Sequence, residues 1–512
     1  MTHEISASRR RFLQVGATAA AVALINPLAA KPGGGSGGTP VRATLKLGES
    51  VTGRTVPSGL VDLSFETLQM HDTRYFSASN EALIGLLRRL NPAGVLRIGG
   101  NSSDFSAWSG YKGPLPPMPQ LPNAVFKRPY MVTPEQLANL AGFLDATGWR
   151  LVFGVNLRRG SPEMAAELAE AVQRAVGDRL QAIQIGNEPS LYKHADGSAF
   201  SYDEYMALWR KTAGAIRQRA HVPIAGPDTS NEIDWVLKFA RDTDDIVALT
   251  HHYYRGGAPA PTTTVAQMLA GDPGFISQAE QVAKVAAAKK LPFLLTEANS
   301  YWGGGKLGVS NTFASALWGG DFALACAQAG VDGINIHSGT LSVLEASLNK
   351  NVATAPNGAN LKQRLDAISG RYTPIAGDVG QGWYPRPLYY GLLLAQQFGG
   401  ARFVPAELAA NGANLTAYAA DRNGQRLIAL FNKDLQRDVT VRMELGAPAS
   451  RLRLWRLEAD SIDAIHDVRL AGNEVAGNGD WSPRHEETVA VDGSHAQVRL
   501  PRGSAALAFV EA

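Results

Sequence analysis

The sequence predicts a (β/α)8 TIM barrel followed by an antiparallel β-sandwich, and three observations carry that prediction. Between residues 58 and 398, short apolar runs alternate with helix-periodic segments, and the strand–helix units number eight. Nearly every apolar run ends in polar residues, at the end where a barrel gathers its functional groups. Beyond Tyr390 the period changes from helical to two, with turn signals such as Asp421-Arg422-Asn423-Gly424 and Asp492-Gly493 between the runs. A doubly wound sheet would also alternate strand and helix. It calls for a glycine-rich phosphate loop after a strand, and no strand here is followed by one.

In chain order, the first thirty residues read as an address rather than as fold. Ser8-Arg9-Arg10-Arg11-Phe12-Leu13 precedes an apolar Ala/Val/Leu run, the pattern of a twin-arginine export signal. The run from 15 to 30 is short and weakly hydrophobic for a membrane span, and Asn26-Pro27 interrupts it. The expectation is cleavage near Ala29-Ala30 and a periplasmic or secreted product with no membrane attachment afterwards. Residues 31–40 are a glycine-rich tether. Residues 41–57 open with an alternating strand, 41–47, expected to join the sandwich of residues 399–512.

The barrel strands are predicted at 61–66, 94–100, 150–156, 182–188, 222–228, 246–254, 293–297 and 333–338. Helices are predicted at 80–90, 133–147, 161–176, 201–219, 231–242, 276–290, 312–329 and 387–398. Thr133 serves as a cap, with Glu135 in the first turn behind it. The sandwich runs are 414–419, 426–432, 439–445, 451–457, 487–491, 496–500 and 505–510. At 45% hydrophobic and 19% charged residues the 512-residue chain can build a large core. A formal charge of +3 gives no case for nucleic acid as a partner. The single cysteine, Cys326, rules out an intrachain disulfide and reads as a buried small hydrophobe.

Chemistry is expected where two apolar strands end in carboxylates. Gln184-Ile185-Gly186-Asn187-Glu188-Pro189 closes the fourth strand and Leu295-Thr296-Glu297 closes the seventh. A carboxylate at the mouth of a buried parallel strand is costly to place unless chemistry uses it. Strands four and seven face each other across an eight-stranded barrel, so Glu188 and Glu297 can approach the roughly 5–5.5 Å needed for two-carboxylate hydrolysis of a glycosidic bond with retention. Tyr253 or Tyr254 is within reach of Glu297, and a phenol donating to it would keep it ionised. Asn187 can hold a sugar hydroxyl. No metal is expected: His251 and His252 are adjacent on a strand and point to opposite faces, and no cofactor motif is present.

Four motifs together resemble glycoside hydrolase family 79, the heparanases and microbial β-glucuronidases. They are Leu96-Arg97-Ile98-Gly99-Gly100, the Asn187-Glu188-Pro189 run, His251-His252-Tyr253-Tyr254, and Thr296-Glu297 followed by Tyr301-Trp302-Gly303-Gly304-Gly305. The resemblance covers the barrel and, more weakly, the sandwich. It implies Glu188 as acid/base and Glu297 as nucleophile. It also implies a seat for the substrate carboxylate on the amides of Gly303 and Gly304, aided by a tyrosine best matched by Tyr389. Glu66 and Asp104 look like hydroxyl-binding acids, although Asp104 also reads as a helix cap, and Asn101 is a contact of the same kind. Trp302 can stack on a sugar face, and His337 reads equally as a substrate contact or a structural hydrogen bond. Arg158-Arg159 would favour an anionic polysaccharide if it is more than a solvated turn.

The expected activity is exo-acting cleavage of β-glucuronides from an oligo- or polysaccharide. An endo-acting enzyme cutting heparan sulfate, a xylan- or arabinan-acting hydrolase, and a non-catalytic carbohydrate-binding barrel are the alternatives.

Overall fold

The computed structural model describes residues 40–118, 128–230, 233–348 and 360–511. The export segment and nearly all of the tether lie outside the described residues. Eight parallel strands close into a barrel in chain order: Val61–Glu66, Val95–Gly99, Arg150–Val155, Leu180–Ile185, Ile224–Ser230, Ala248–Gly257, Phe293–Trp302 and Gly333–Ser338. Helices follow at each predicted place, and their caps are the ones the sequence offers. Thr133 accepts the Gln136 amide while the Gln136 side chain returns to the Thr133 N–H, a reciprocal capping box. Asp272 caps Pro273–Ala288 three residues before the predicted start. Among the described residues no helix is long and apolar enough to cross a membrane.

The barrel lumen is layered. At its floor Val95, Val152, Ala182, Ala225, Ala248 and Leu294 form a small buried apolar cluster of their own. Above that floor the inward positions turn polar: Ser64, Arg97, Gln184, Asp228, Thr296 and His337 are all buried. The functional groups therefore rest on a filled barrel rather than over a channel.

The second domain differs from the expectation in one respect. It is a single curled sheet, and it is not antiparallel throughout. Val41–Leu47 pairs in parallel with Val439–Glu444, Val41 opposite Val439, and antiparallel with Ala406–Ala409. Alternation reports burial of one face but carries no information on strand direction, which explains the difference. The interior strand Gln425–Asn432 is buried on both faces. Ile428 and Leu430 enter the sheet's own core, while Leu427, Ala429 and Phe431 join the core of the barrel. The two domains thus share packed interior.

A polar clamp reinforces this junction. Asp321, on the barrel helix Phe313–Ala329, accepts from Lys433 Nζ (2.5 Å), Thr416 Oγ1 (2.5 Å) and Tyr418 Oη (2.8 Å) of the sheet. Removing one partner of a buried ion pair strands the other, at a cost of about 3–5 kcal/mol. Asp321→Ala should therefore lower unfolding free energy by about that amount, read from urea denaturation. A loss under about 1 kcal/mol would show that the clamp is bypassed by packing alone.

Candidate active site

Arg97 rises from the second barrel strand into the lumen and is fully buried. It donates to Glu297 Oε2 (2.6 Å), Asp228 Oδ2 (2.7 Å), Asn187 Oδ1 (2.8 Å), Gln184 Oε1 (3.2 Å) and Ser64 Oγ (3.3 Å). Those partners come from strands one, four, five and seven. A buried guanidinium needs this many acceptors to stay charged without a large desolvation cost.

Two bulges aim the partners. Between strands five and six the register passes from Pro227↔Thr250 to Thr229↔His251, leaving Asp228 as the extra residue at φ +60°. Between strands six and seven it passes from Leu295↔His251 to Glu297↔His252, leaving Thr296 unmatched. A bulge redirects a side chain that strict alternation would point elsewhere. Here the two extra residues meet, with Thr296 Oγ1 donating to Asp228 Oδ1 at 2.6 Å.

His252 sits among the acids. Its Nε2 lies 2.9 Å from Asp228 Oδ1, a charge contact, and its Nδ1 lies 3.3 Å from Glu188 Oε1. Burial opposes the charged ring, but Asp228 and the two glutamates outweigh it and raise its pKa to about 10. Asp228, against the same penalty of burial, is held well below the usual carboxylate range by His252 and Arg97. The neighbouring His251 faces the other way, with its Nδ1 3.1 Å from Thr229 Oγ1. Burial, and then the charge on His252, push it down to about 3.

Glu297 accepts from Tyr254 Oη on one oxygen (2.7 Å) and from Arg97 on the other. Burial acts to raise its pKa, yet His337, His252 and Arg97 together hold it below the ordinary value, in opposition to Glu188. One oxygen of Glu188, one of Glu297 and a ring nitrogen of His252 all lie within 4.8 Å of one another. Such a triad has the donor types of a metal site. With a protonated imidazole inside it and Arg97 bound to one carboxylate, it suits two acids acting on a substrate better than it suits a cation.

Above this layer opens a pocket of about 250 Å³. Of the residues singled out from sequence, Glu66, Asn101, Glu188, Tyr254, Glu297, Trp302, Gly303, Gly304 and His337 line it. Glu66 is oriented by Ser102, whose N–H and hydroxyl both donate to Oε2 (2.8 and 2.6 Å). His337 stands 3.0 Å from Ser64 Oγ and 3.7 Å from Glu66 Oε1. Asn187 lies just beneath the wall, held by Arg97 and donating to Asn101 Oδ1 (3.2 Å).

Three expectations are corrected. Tyr389 is fully buried on Pro387–Gln396 and donates to Leu86 O (2.7 Å), far from any carboxylate seat. The tyrosine beside Gly303 and Gly304 is Tyr372. It lines the pocket, and its backbone N–H and that of Arg371 donate to Gly304 O (3.3 and 2.7 Å). Tyr253 points to the outer face of strand six, stacked between Phe275 and Phe322 and donating to Asp272 (3.0 Å). Asp104 is buried under the loop and accepts from Tyr192 Oη (2.9 Å), and burial pushes its carboxyl up to about 7. Sequence reasoning assigned no role to Arg97, Asp228 or Tyr372. Only Arg97 left a signal, as a charge inside an apolar strand.

No family model matches the chain. In sequence it is similar to a curated β-glucuronidase of Aspergillus niger, 25% identical over 297 residues, and to one of Neurospora crassa, 24% identical over 314 residues. The alignments cover 51% and 54% of this chain and 54% and 56% of those relatives, so the chain spans about half the length of the curated relatives it matches. In structure it is similar to a 4-O-α-L-rhamnosyl-β-D-glucuronidase from Fusarium oxysporum, solved as a Rha-GlcA complex. That likeness has a TM-score of 0.68 at 18% identity, covering 90% of this chain and 99% of the other. It is also similar to a family 51 arabinofuranosidase from Xanthomonas axonopodis pv. citri, with a TM-score of 0.62 at 17% identity over 92% and 100%. These structural likenesses speak for the fold, a barrel with a β-rich second domain. The resemblance to glucuronidases carried by the motifs is met again in the sequence similarity.

The charge on His252 has a measurable consequence. Its folded pKa of about 10 exceeds the ordinary 6.5, so its contribution to stability is complete below pH 6.5 and is lost as pH rises towards 10. Urea midpoints should fall across that window, and His252→Gln should flatten the fall. An identical slope in the variant would show that the imidazole is not charged in the fold.

Proposed function

We propose that this chain is a β-D-glucuronide hydrolase working by double displacement, with Glu297 as nucleophile and Glu188 as acid/base. The observation that carries the reading is the meeting of the two carboxylates within 4.8 Å at the mouth of the barrel. That spacing supports retention, since inverting pairs stand about 6.5–9.5 Å apart to seat the attacking water with the sugar between them. The division of roles follows from the donors. Glu297, with Tyr254 and Arg97 on its two oxygens, is kept ionised and aimed to attack the anomeric carbon. Glu188 faces it across the pocket and passes a proton to the departing oxygen, then takes one from water in the second step.

Glucuronide selectivity is assigned to the turn after strand seven. Gly303 and Gly304 adopt φ of +85° and +82°, a region open to glycine at no cost, and they bring backbone amides to the pocket wall. Tyr372, whose backbone N–H donates to Gly304 O, also lines the pocket and has its hydroxyl against Tyr254. Exo action is supported by the helix Leu341–Ser347 and the residue after it, whose Leu344, Ser347 and Leu348 close one side of the pocket. Among the described lining residues there is no lysine or arginine, which disfavours a sulfated chain such as heparan sulfate. Arg158 and Arg159 do not line the pocket either. The motif Ser8-Arg9-Arg10-Arg11-Phe12-Leu13 supports action outside the cytoplasm.

The test is release of p-nitrophenol from the β-glucuronide beside the β-glucoside and β-xyloside, with proton NMR of the first-formed anomer. Turnover of the glucuronide with the β-anomer appearing first is the expected result. Hydrolysis of the neutral sugars alone, or first appearance of the α-anomer, would overturn the substrate or the mechanism respectively. Glu297→Ala should abolish turnover of every aryl glucuronide, and Tyr372→Phe should raise KM for the glucuronide by about tenfold or more with kcat little changed, the effect of losing one hydrogen bond to a charged group. A Tyr372→Phe effect on kcat alone would remove that residue from the carboxylate seat.

A further inference from the structure

Glu188 occupies a conformation that its side chain does not favour. It has φ +47° and ψ 52°, the left-handed region, at a cost of about 1–2 kcal/mol for a residue with a Cβ. Gly186, two residues earlier, also has positive φ, and a Cβ there would lie 3.0 Å from both Leu157 and Tyr192 Oη. Such a turn persists only when its surroundings over-determine it. The Glu188 N–H donates to Asp228 O (2.9 Å) and its carbonyl accepts from Leu191 (2.9 Å). A further restraint acts on Asn187, whose backbone N–H donates to Tyr192 Oη (3.2 Å), and Tyr192 Oη donates in turn to Asp104 Oδ1 (2.9 Å).

Asp104 and Tyr192 are both buried, and neither lines the pocket. They cannot bind substrate, yet a phenylalanine would fill the same space without a buried carboxylate to satisfy. The phenol oxygen is used twice, as acceptor and as donor. Because Asp104 accepts its hydrogen, a lone pair is left facing the Asn187 N–H. Asp104 is itself held by the backbone N–H of Arg158, and the Arg158 guanidinium lies 5.1 Å over the Tyr192 ring. The loop after strand three, the segment after strand two and the turn after strand four are thereby tied at one point.

We infer that Asp104 and Tyr192 are positioning residues that fix the Asn187–Glu188 turn, and through it the direction in which Glu188 presents its proton to the leaving group. The inference rests on the hydrolase reading above. Burial keeps the Tyr192 phenol neutral by raising its ionisation well above the usual range, so the hydroxyl retains both functions at working pH. Asparagine at position 104 offers a single acceptor oxygen for two donors, Tyr192 and Arg158. Phenylalanine at position 192 removes the acceptor for Asn187 and keeps the ring beneath Arg158.

The test is a series of aryl β-glucuronides running from dinitrophenyl to unsubstituted phenyl, assayed with the wild-type chain, Tyr192→Phe and Asp104→Asn. Proton donation matters for poor leaving groups and hardly at all for very acidic ones. A displaced acid should therefore cost about tenfold or more in kcat/KM on the phenyl substrate and less than about threefold in kcat/KM on the dinitrophenyl one, since kcat/KM reports the step in which the aryl group leaves. Tyr192→Phe carries the test should Asp104→Asn fold poorly, as judged by its thermal midpoint. Equal loss on all leaving groups, or lower thermal stability with unchanged leaving-group dependence, would reduce the pair to a structural prop and overturn the inference. Absence of turnover by the wild-type chain on every glucuronide would instead overturn the hydrolase reading, and this inference with it.

Discussion

A guanidinium with no solvent contact has to find acceptors for its N–H groups, and the upper layer of this barrel is arranged to supply them. Arg97 reaches side chains on or next to strands one, four, five and seven. Two of those acceptors are carboxylates, so the cation and the anions are desolvated together. Replacing an entire buried ion cluster by apolar residues is often harmless to stability, but removing its cation alone is not. Here it would leave Asp228 and Glu297 without their counter-charge. The same contacts that offset the burial of Arg97 hold Glu297 in place and Asn187 next to Glu188.

The bulges follow from that requirement. A closed barrel presents inward residues in layers set by alternation, and alternation alone does not place Asp228, Thr296 and Glu297 about one guanidinium. Inserting one residue in strand five and one in strand seven supplies the missing half-period. The cost is local: the ladders on either side of strand seven and that between strands five and six are interrupted near the rim, and a further shift lies between strands three and four. The rim is where a barrel tolerates such irregularity, because the floor beneath, Val95, Val152, Ala182, Ala225, Ala248 and Leu294, is already packed.

What could be read from sequence divides along the same line. Periodicity located all eight barrel strands and their helices, because burial of one face leaves a regular trace in composition. Glu188 and Glu297 were legible as acids at the ends of apolar strands, where an ionised group has no structural reason to be. Asp228 was read only as the last residue of the fifth strand, since its inward turn comes from a bulge and its partner Arg97 is more than a hundred residues away. Tyr372 was missed for a different reason. It lies outside any strand or helix, and its position depends on two backbone hydrogen bonds to Gly304 that no side-chain pattern records. Tyr389 was chosen in its place because a tyrosine beginning a helix looks the same whether it faces the lumen or the helix layer. The parallel pairing of Val41–Leu47 was hidden by the same symmetry of alternation.

The distribution of charge settles how two identical side chains come to differ. Around the pocket Arg97 and the imidazoles of His252 and His337 are set against Asp228, Glu188, Glu297 and Glu66. Arg97 is spent on Asp228 and Glu297, and His252 is pinned by Asp228 on one edge with only a 3.3 Å contact to Glu188 on the other. Asp228 lines no part of the pocket, yet it anchors both cations, Arg97 beside Glu297 and His252 beside Glu188. Glu297, with a strong donor on each of its oxygens, stays ionised. In the mechanism proposed above, the difference between the two glutamates therefore draws on a third acid, below the pocket, that lines no part of it.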